Sequence, residues 1–413
     1  MSSTANDTRL QRIQSLQFTD RKAAETLLLA FVRDTFPDLG VAAVELRPLA
    51  VSLNSFNGFL TLADDSKLFY KTHVEPGSVI NEYYNTTLLA EAGYPIVKPR
   101  YASTEYGKQF LIYNVIDSPS VFDVARAIEH GSNRDDLSSL ATAQHHADDH
   151  LLKIYLGTLE QQSPESAGQA AIHQLFHHRL GARYSQFYTG KRLELPGTGL
   201  QWEELCTRRW EINGTRYAGT LGAAVTRARI TLQPAQAGPS IIGHGDAHNG
   251  NVFYTPDGLV YFDPAFGGRH HPLLDLTKPL FHNVFATWLY HPQEIAATMT
   301  IRLVDDGTTL HVEHNYRPSM CREMFLTSKM LNTLLPLIHD LHHIGWLAAD
   351  WRETLKAALM CCPLLTLNLA DSERFPPSVS LLGLCYAVEM GMEHQGGEAT
   401  LFSRTLDEIE AQA

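Results

Sequence analysis

Residues 240–268 read SIIGHGDAHNGNVFYTPDGLVYFDPAFGG and hold the side chains best suited to chemistry. His244, Asp246 and Asn251 form the pattern H-G-D-x-x-x-x-N, and Asp263 follows 17 residues after Asp246. Two apolar, strand-like runs, SII and LVYF, flank the loop, so its polar groups sit at strand ends and are rigidly presented. Phosphoryl transfer asks for a carboxylate that orients an attacking hydroxyl and accepts its proton. It also asks for oxygen ligands to a Mg2+ ion bridging a triphosphate. In that reading Asp246 is the catalytic base, and Asn251 and Asp263 hold the Mg2+. A rival reading uses His244, Asp246 and His248. These alternate, so on a strand they would face one side, and imidazoles suit Zn2+ or another transition metal. That would be a metal-dependent hydrolase, and it leaves Asn251 and Asp263 without a role.

Other histidines are weaker candidates. His146 and His150 lie four apart on a helical pattern, as do His339 and His343; a solvated helix face accounts for both pairs. His270 and His271 could touch substrate or phosphate, or could cap the helix that begins near Leu273.

These residues need a scaffold. Residues 19–36 carry apolar positions at helical spacing and stop at Pro37. Three strand-like runs follow, AVELRPLAVSLNS, GFLTLA and KLFYKTHV, the last two joined by a turn at Asp64–Asp65–Ser66. SVINEYYNTTLLAEAG reads as a helix with Ser78 as N-cap and Gly93 as the residue past its C-cap. Strands around IVKPRYA and KQFLIYNV, parted by a turn at 105–107, complete the first part. Beyond a connector near 114–120 the chain reads as mostly helical. Helical spacing covers 133–160, 163–189 and 215–233, with a Gly/Pro-rich break at 191–201, and it resumes from 273 through to 412. The expected fold class is α+β and bilobal. A small antiparallel-sheet lobe with one main helix (1–115) precedes a larger, mostly helical lobe (116–413) that carries the loop 240–268 and the acceptor site.

The run H-G-D-x-H-x-x-N, followed by a strand ending in Asp, resembles the aminoglycoside phosphotransferase and choline kinase superfamily, which shares the protein-kinase-like fold. The resemblance extends over most of the chain. It implies an ATP- and Mg2+-dependent phosphotransferase with an alcohol group as acceptor. Lys71, ending the third strand, falls where the family places the lysine on the α/β-phosphates, and Glu82 falls where its partner glutamate sits. Ser52 to Gly58, with Ser55 and Asn57, falls in the nucleotide-covering loop between the first two strands. Ile112–Val115, including Asn114 and Val115, corresponds to the hinge whose backbone holds adenine. Asp275–Leu276 resembles the aspartate-led helix start that buttresses the catalytic loop. Asp263 is followed by Pro-Ala-Phe-Gly-Gly, and this Asp-Pro-Ala run is similar to fructosamine-kinase-like members.

Composition narrows the partners. The 413 residues carry 33 Lys+Arg against 45 Asp+Glu, a net charge of −12. Such a chain lacks the basic footprint expected for nucleic acid or an anionic membrane. No run is apolar enough for a transmembrane helix, and the first twenty residues lack a signal-peptide core. Five scattered cysteines fit a reducing compartment, so the expected location is cytoplasmic. Residues 1–115 hold 11 basic and 12 acidic side chains, leaving −11 on the rest. An acceptor pocket in that acidic part would favour a cationic acceptor, such as an amine-bearing sugar or amino alcohol. The remaining alternative is a non-catalytic, kinase-shaped nucleotide-binding module.

Overall fold

Leu68, Tyr70 and Thr72 alternate with Phe69 and Lys71 along one strand, and this alternation sorts the first part of the chain into two faces. The computed structural model describes residues 9–47, 55–73, 76–105, 107–131 and 135–412. One unit comprises Met1–Ser118 with Val260–Ala265; the other comprises Pro119–Leu259 with Phe266–Ala413.

The first unit begins with helices α1 (Arg9–Leu16) and α2 (Arg21–Thr35). Asp20 caps α2 by accepting the Ala23 N–H at 3.0 Å. Strands β1 (Val41–Leu46), β2 (Ser55–Leu62) and β3 (Lys67–His73) follow, then helix α3 (Pro76–Glu91), then β4 (Tyr101–Ser103) and β5 (Phe110–Asn114). The sheet order is β1-β2-β3-β5-β4, antiparallel throughout. Ala24, Leu28, Phe31 and Val32 recur at helical spacing on α2. They pack with Leu10 and Ile13 of α1 against Phe56, Leu60, Leu68, Tyr70, Phe110 and Ile112 of the sheet. The opposite face gathers Leu111 and Tyr113 with Phe69, Tyr83 and Val97, and Lys71 shares that face. α3 ends in a Schellman motif: Tyr94 N–H donates to Leu89 O, Gly93 N–H donates to Ala90 O, and Gly93 has φ 105°. Val97 N–H donates to Tyr261 O and Tyr261 N–H donates to Pro95 O, tying Val260–Ala265 into this unit.

Several expectations need correction. α1 lies outside the helix expected at 19–36. Ser78 is not an N-cap, because α3 already starts at Pro76. The expected nucleotide-covering loop is different as well. Ser55 and Asn57 lie within β2, while Ser52–Asn54 fall outside the described residues. Gly58 serves strand approach, since a Cβ there would sit 1.8 Å from Glu45 O.

In the second unit helices pack around a buried pair, Trp351–Leu365 against Pro377–Gly391. The chain is not helical throughout from 273. Ile301–Asp305 and Thr309–His314 form a hairpin across Asp306–Gly307, and they join Arg209–Ile212, Thr215–Tyr217 and His394–Gly396 in one five-stranded sheet. The helix expected at 215–233 starts only after Thr220, which caps Leu221–Thr231. Before it, Asn213 and Gly214, with φ 49° and 80°, make the turn between two of those strands. The break at 191–201 is a hairpin, and the helix expected at 163–189 is interrupted by a π-turn at Arg179–Arg183. Among the described residues no helix is long and apolar enough to cross a membrane.

The strand Gly238–Gly243 is central to a three-stranded sheet, flanked by Gly268–His270 and Glu160–Gln162. At its end the buried Asp275 carboxylate accepts the Gly245 N–H at 2.5 Å, bonds His270 Nε2 at 2.9 Å and accepts the Tyr155 hydroxyl. Burial would raise its pKa, but the bonds from His270, Tyr155 and Gly245 hold it below the usual range. Asp275→Ala leaves three buried donors without an acceptor. We predict a loss of roughly 2–5 kcal/mol in unfolding free energy, read from urea melts. A loss under about 0.5 kcal/mol, the usual scale of a surface substitution, would remove Asp275 as the anchor of this loop.

Candidate functional site

The first unit supplies a cation between two carboxylates. Lys71 Nζ lies 2.5 Å from Asp263 Oδ1 and 3.0 Å from Glu82 Oε2. Burial alone would lower the lysine pKa; Asp263 and Glu82 outweigh it and raise the value. Glu82, on α3, is 3% exposed and also accepts the Tyr113 hydroxyl at 2.9 Å. One turn along, Asn85 Nδ2 donates to Pro264 O at 2.9 Å, so α3 holds both the lysine's partner and the Asp-Pro-Ala loop. Asp263 itself is left-handed, with φ 57°, a conformation that non-glycine residues adopt at a cost. Asn57 stands directly opposite Lys71 across β2 and β3, on the same face of the sheet. Asn114 is exposed at the end of β5, where its Oδ1 accepts from Arg100, and Val115 follows half-buried.

The second unit supplies an ionised aspartate in a tightly bonded loop. Gly245 has φ 73°, and a Cβ there would meet Phe266 O at 2.4 Å, so both backbone angle and space require glycine. His248 N–H and Asn251 Nδ2 both donate to Asp246 O, at 2.8 and 3.0 Å. The amide nitrogen of Asn251 thus braces the loop, while its Oδ1 is the atom suited to a hard cation. Asp246 Oδ1 lies 2.9 Å from Lys278 Nζ, which sits 4.2 Å from the Phe266 ring centroid. Burial would raise the Asp246 pKa, but Lys278, His248 and His244 together bring it well below the usual range. Lys278 is only 4% exposed, and burial leaves its pKa lowered despite Asp246.

The histidines have structural bonds. His244 Nδ1 accepts the Asp246 N–H and His248 Nδ1 accepts the Gly250 N–H, so the His248 ring proton is assigned to Nε2, 3.7 Å from Asp246 Oδ1. The chain has left the strand at Gly243, and the left-handed Gly245 breaks the alternation that would align His244, Asp246 and His248. Among the described residues no group of three or more His, Cys, Asp or Glu could hold a metal ion. Of the pair near the helix start, His271 caps Pro272–His282 and His270 binds Asp275.

Sequence reasoning missed three residues. Tyr113 was assigned only a backbone role, yet its hydroxyl holds Glu82. Asn85 carries no motif. Lys278 had a signal: it is a lysine in PLLDLTKPLFH, a helix whose every residue is buried. Such a lysine requires a partner.

No family model matches the chain, and no curated protein matches it. Solved structures do. One is an amicoumacin kinase, hAmiN, in complex with AMP-PNP and Ca2+: 13% identity over 84% of this chain and 87% of that one, TM-score 0.46. A second is an ethanolamine kinase from Plasmodium vivax, at 9% identity over 100% and 95%, TM-score 0.46. A third is a putative fructosamine-3-kinase from Thermobifida fusca, at 15% identity over 88% and 98%, TM-score 0.41.

The Asp246–Lys278 pair generates a prediction about acid titration. The carboxyl pKa is depressed in the folded protein, so its contribution to stability is full above the unfolded value near 3.9 and is lost as pH falls through the folded one. Lys278→Met should move the Asp246 carboxyl titration to higher pH, followed by carbon-detected NMR. An unmoved titration would mean that Lys278 does not set its charge.

Proposed function

We propose that this protein is an ATP- and Mg2+-dependent small-molecule kinase that transfers the γ-phosphoryl group to a hydroxyl of a small, sugar-like acceptor. The observation that carries the reading is the division of labour among charged groups. Lys71 is held between Glu82 and Asp263, and a separate carboxylate, Asp246, is kept ionised by Lys278 in a loop braced by Asn251. Each of these residues has a use in phosphoryl transfer, and the bracing would be surplus in a plain turn.

In the reaction Lys71 binds the α/β-phosphates and Glu82, fixed by Tyr113, orients it. Asn57 shares the Lys71 face and can donate to phosphate oxygen; the backbone around Asn114 and Val115 receives the adenine. Asn251 Oδ1 and the Asp263 carboxylate are hard oxygen donors, which fits Mg2+ better than a soft or imidazole-seeking metal. When bound, Mg2+ neutralises charge on the phosphates as the γ-group leaves. Asp246 accepts a hydrogen bond from the acceptor hydroxyl and aims it in line. The O–P bond forms as the bridging P–O bond breaks, the electron pair departs on ADP, and the hydroxyl proton passes to Asp246 and then to solvent. A carboxyl this acidic is chiefly an orienting group that takes the proton late, in keeping with a loose transition state.

The expectation of a cationic acceptor rested on the −11 charge of residues 116–413. That total does not itself describe the reacting atoms, where Asp246 is paired with Lys278.

Two variants test the reading. Asp246→Asn should leave MgATP affinity within about twofold and lower turnover at least about a hundredfold, the scale of lost general-base help. Turnover close to wild type would take Asp246 out of the mechanism. Asp263→Ala should abolish Mg2+-dependent ATP binding by calorimetry while Mg2+-free nucleotide binding persists; unchanged MgATP affinity would contradict its metal role. A nucleotide-binding module would bind MgATP and yield no ADP with any acceptor, and a metal-dependent hydrolase would ignore ATP.

A further inference from the structure

Arg179 is 7% exposed, and its Nε and Nη1 are buried without a hydrogen-bond partner. No described residue forms an ion pair with it. Its neighbours in the same region are satisfied: Arg183 donates to Leu365 O, and Arg229 donates to Leu180 O and lies over the Tyr184 ring. A buried guanidinium without an anion is costly, and an orphaned buried donor in a native fold calls for a reason. Arg179 also opens a π-turn, Arg179–Arg183, an irregularity that recurs at functional sites. That turn packs against the helix Trp351–Leu365, and so does the helix Pro272–His282 that carries Lys278.

The packing of this unmatched charge ties it to the helix that carries Lys278, the partner of Asp246. Lys278, His282, Tyr290 and the Cys362 thiol each respond both to the Asp246 carboxylate and to the Arg179 guanidinium. With both segments packed on Trp351–Leu365, the two groups belong to one region of the second unit. Within it Tyr290 OH and His282 Nδ1 lie 2.8 Å apart, which adds polar capacity beside the basic groups. Arg179 is the one member whose donors are orphaned.

We propose that Arg179 is the anchor of an acceptor subsite for an oxyanion, so that the acceptor of this kinase carries a carboxylate or phosphate group in addition to its reacting hydroxyl. This rests on the kinase reading for the identity of the ligand, and on the orphaned guanidinium alone for its charge. Arginine's planar fork matches either oxyanion through two parallel bonds, which would fix the distance from the anion to the hydroxyl aligned by Asp246. The subsite would select hydroxy acids, sugar acids or sugar phosphates and would turn away amine-bearing analogues.

The test uses the full chain with AMP-PNP and Mg2+, and compares wild type with Arg179→Met. Acetate and inorganic phosphate, titrated separately by calorimetry and thermal shift, probe the two oxyanion classes. We expect at least one to bind wild type saturably and to bind Arg179→Met at least tenfold more weakly. The ligand-free variant should melt no lower than wild type, because it loses an uncompensated charge. A variant that melts several degrees lower, with anion affinity unchanged, would make Arg179 structural and overturn the proposal. Arg179→Lys, which keeps the charge and loses the fork, should retain intermediate affinity and serves if the methionine variant does not fold. The second arm offers ATP with D-glucose, D-glucosamine, D-glucuronate and D-glucose 6-phosphate. Transfer should favour an anionic member, with KM raised at least tenfold and kcat little changed in Arg179→Met; transfer to the neutral or cationic sugar at an unaltered KM would sink the subsite. Anion binding through Arg179 with no ADP formed from any acceptor would retire the kinase reading and leave the subsite standing.

Discussion

The carboxylate of Asp275 is the constraint on which the second unit's chemistry depends. It is buried, it is ionised, and it has three donors from three places: the loop at Gly245, the strand end at His270, and a distant helix at Tyr155. An ionised acceptor in a low-dielectric setting enforces its geometry strongly, because each lost bond exposes the desolvation cost of the charge. The turn at Gly245 must then be left-handed, and only glycine fits under Phe266. The direction of Asp246 follows from that turn, and Lys278, one helical turn beyond Asp275, meets it.

The first unit reaches its arrangement by a different route. Period-two alternation places Tyr70 towards α1 and α2, and Lys71 towards the face with Tyr113, so one strand both builds the core and presents the lysine. α3 then contributes by period: Glu82 and Asn85 fall on one side of the helix, the former holding Lys71 and the latter holding Pro264. Lys71, Glu82 and Asn85 are therefore all carried by regular elements.

Much of this was legible in the residue order where the signal is local. The H-G-D loop, the alternating strands and the helix end at Gly93 all depend on spacings of a few residues, and short-range geometry decides them. The Asn213–Gly214 and Asp306–Gly307 turns were equally local, yet the helical reading of their surroundings masked them. What spacing does not reveal is juxtaposition across distant segments. The Asp246–Lys278 pair, the Tyr113–Glu82 bond and the isolation of Arg179 are products of packing, and a lysine or arginine in an apolar helix shows only that something must answer it. The net charge of the larger lobe is equally remote from the site, since a sum over 298 residues says little about the few groups around one carboxylate.

The left-handed backbone at Asp263 bears on any attempt to engineer this protein for robustness. Glycine at that position would relieve about 1 kcal/mol of backbone cost. The same change would leave the Lys71 ammonium with Glu82 alone, so the side chain at this position repays what its backbone costs. Position 263 is where backbone ease and charge pairing pull in opposite directions.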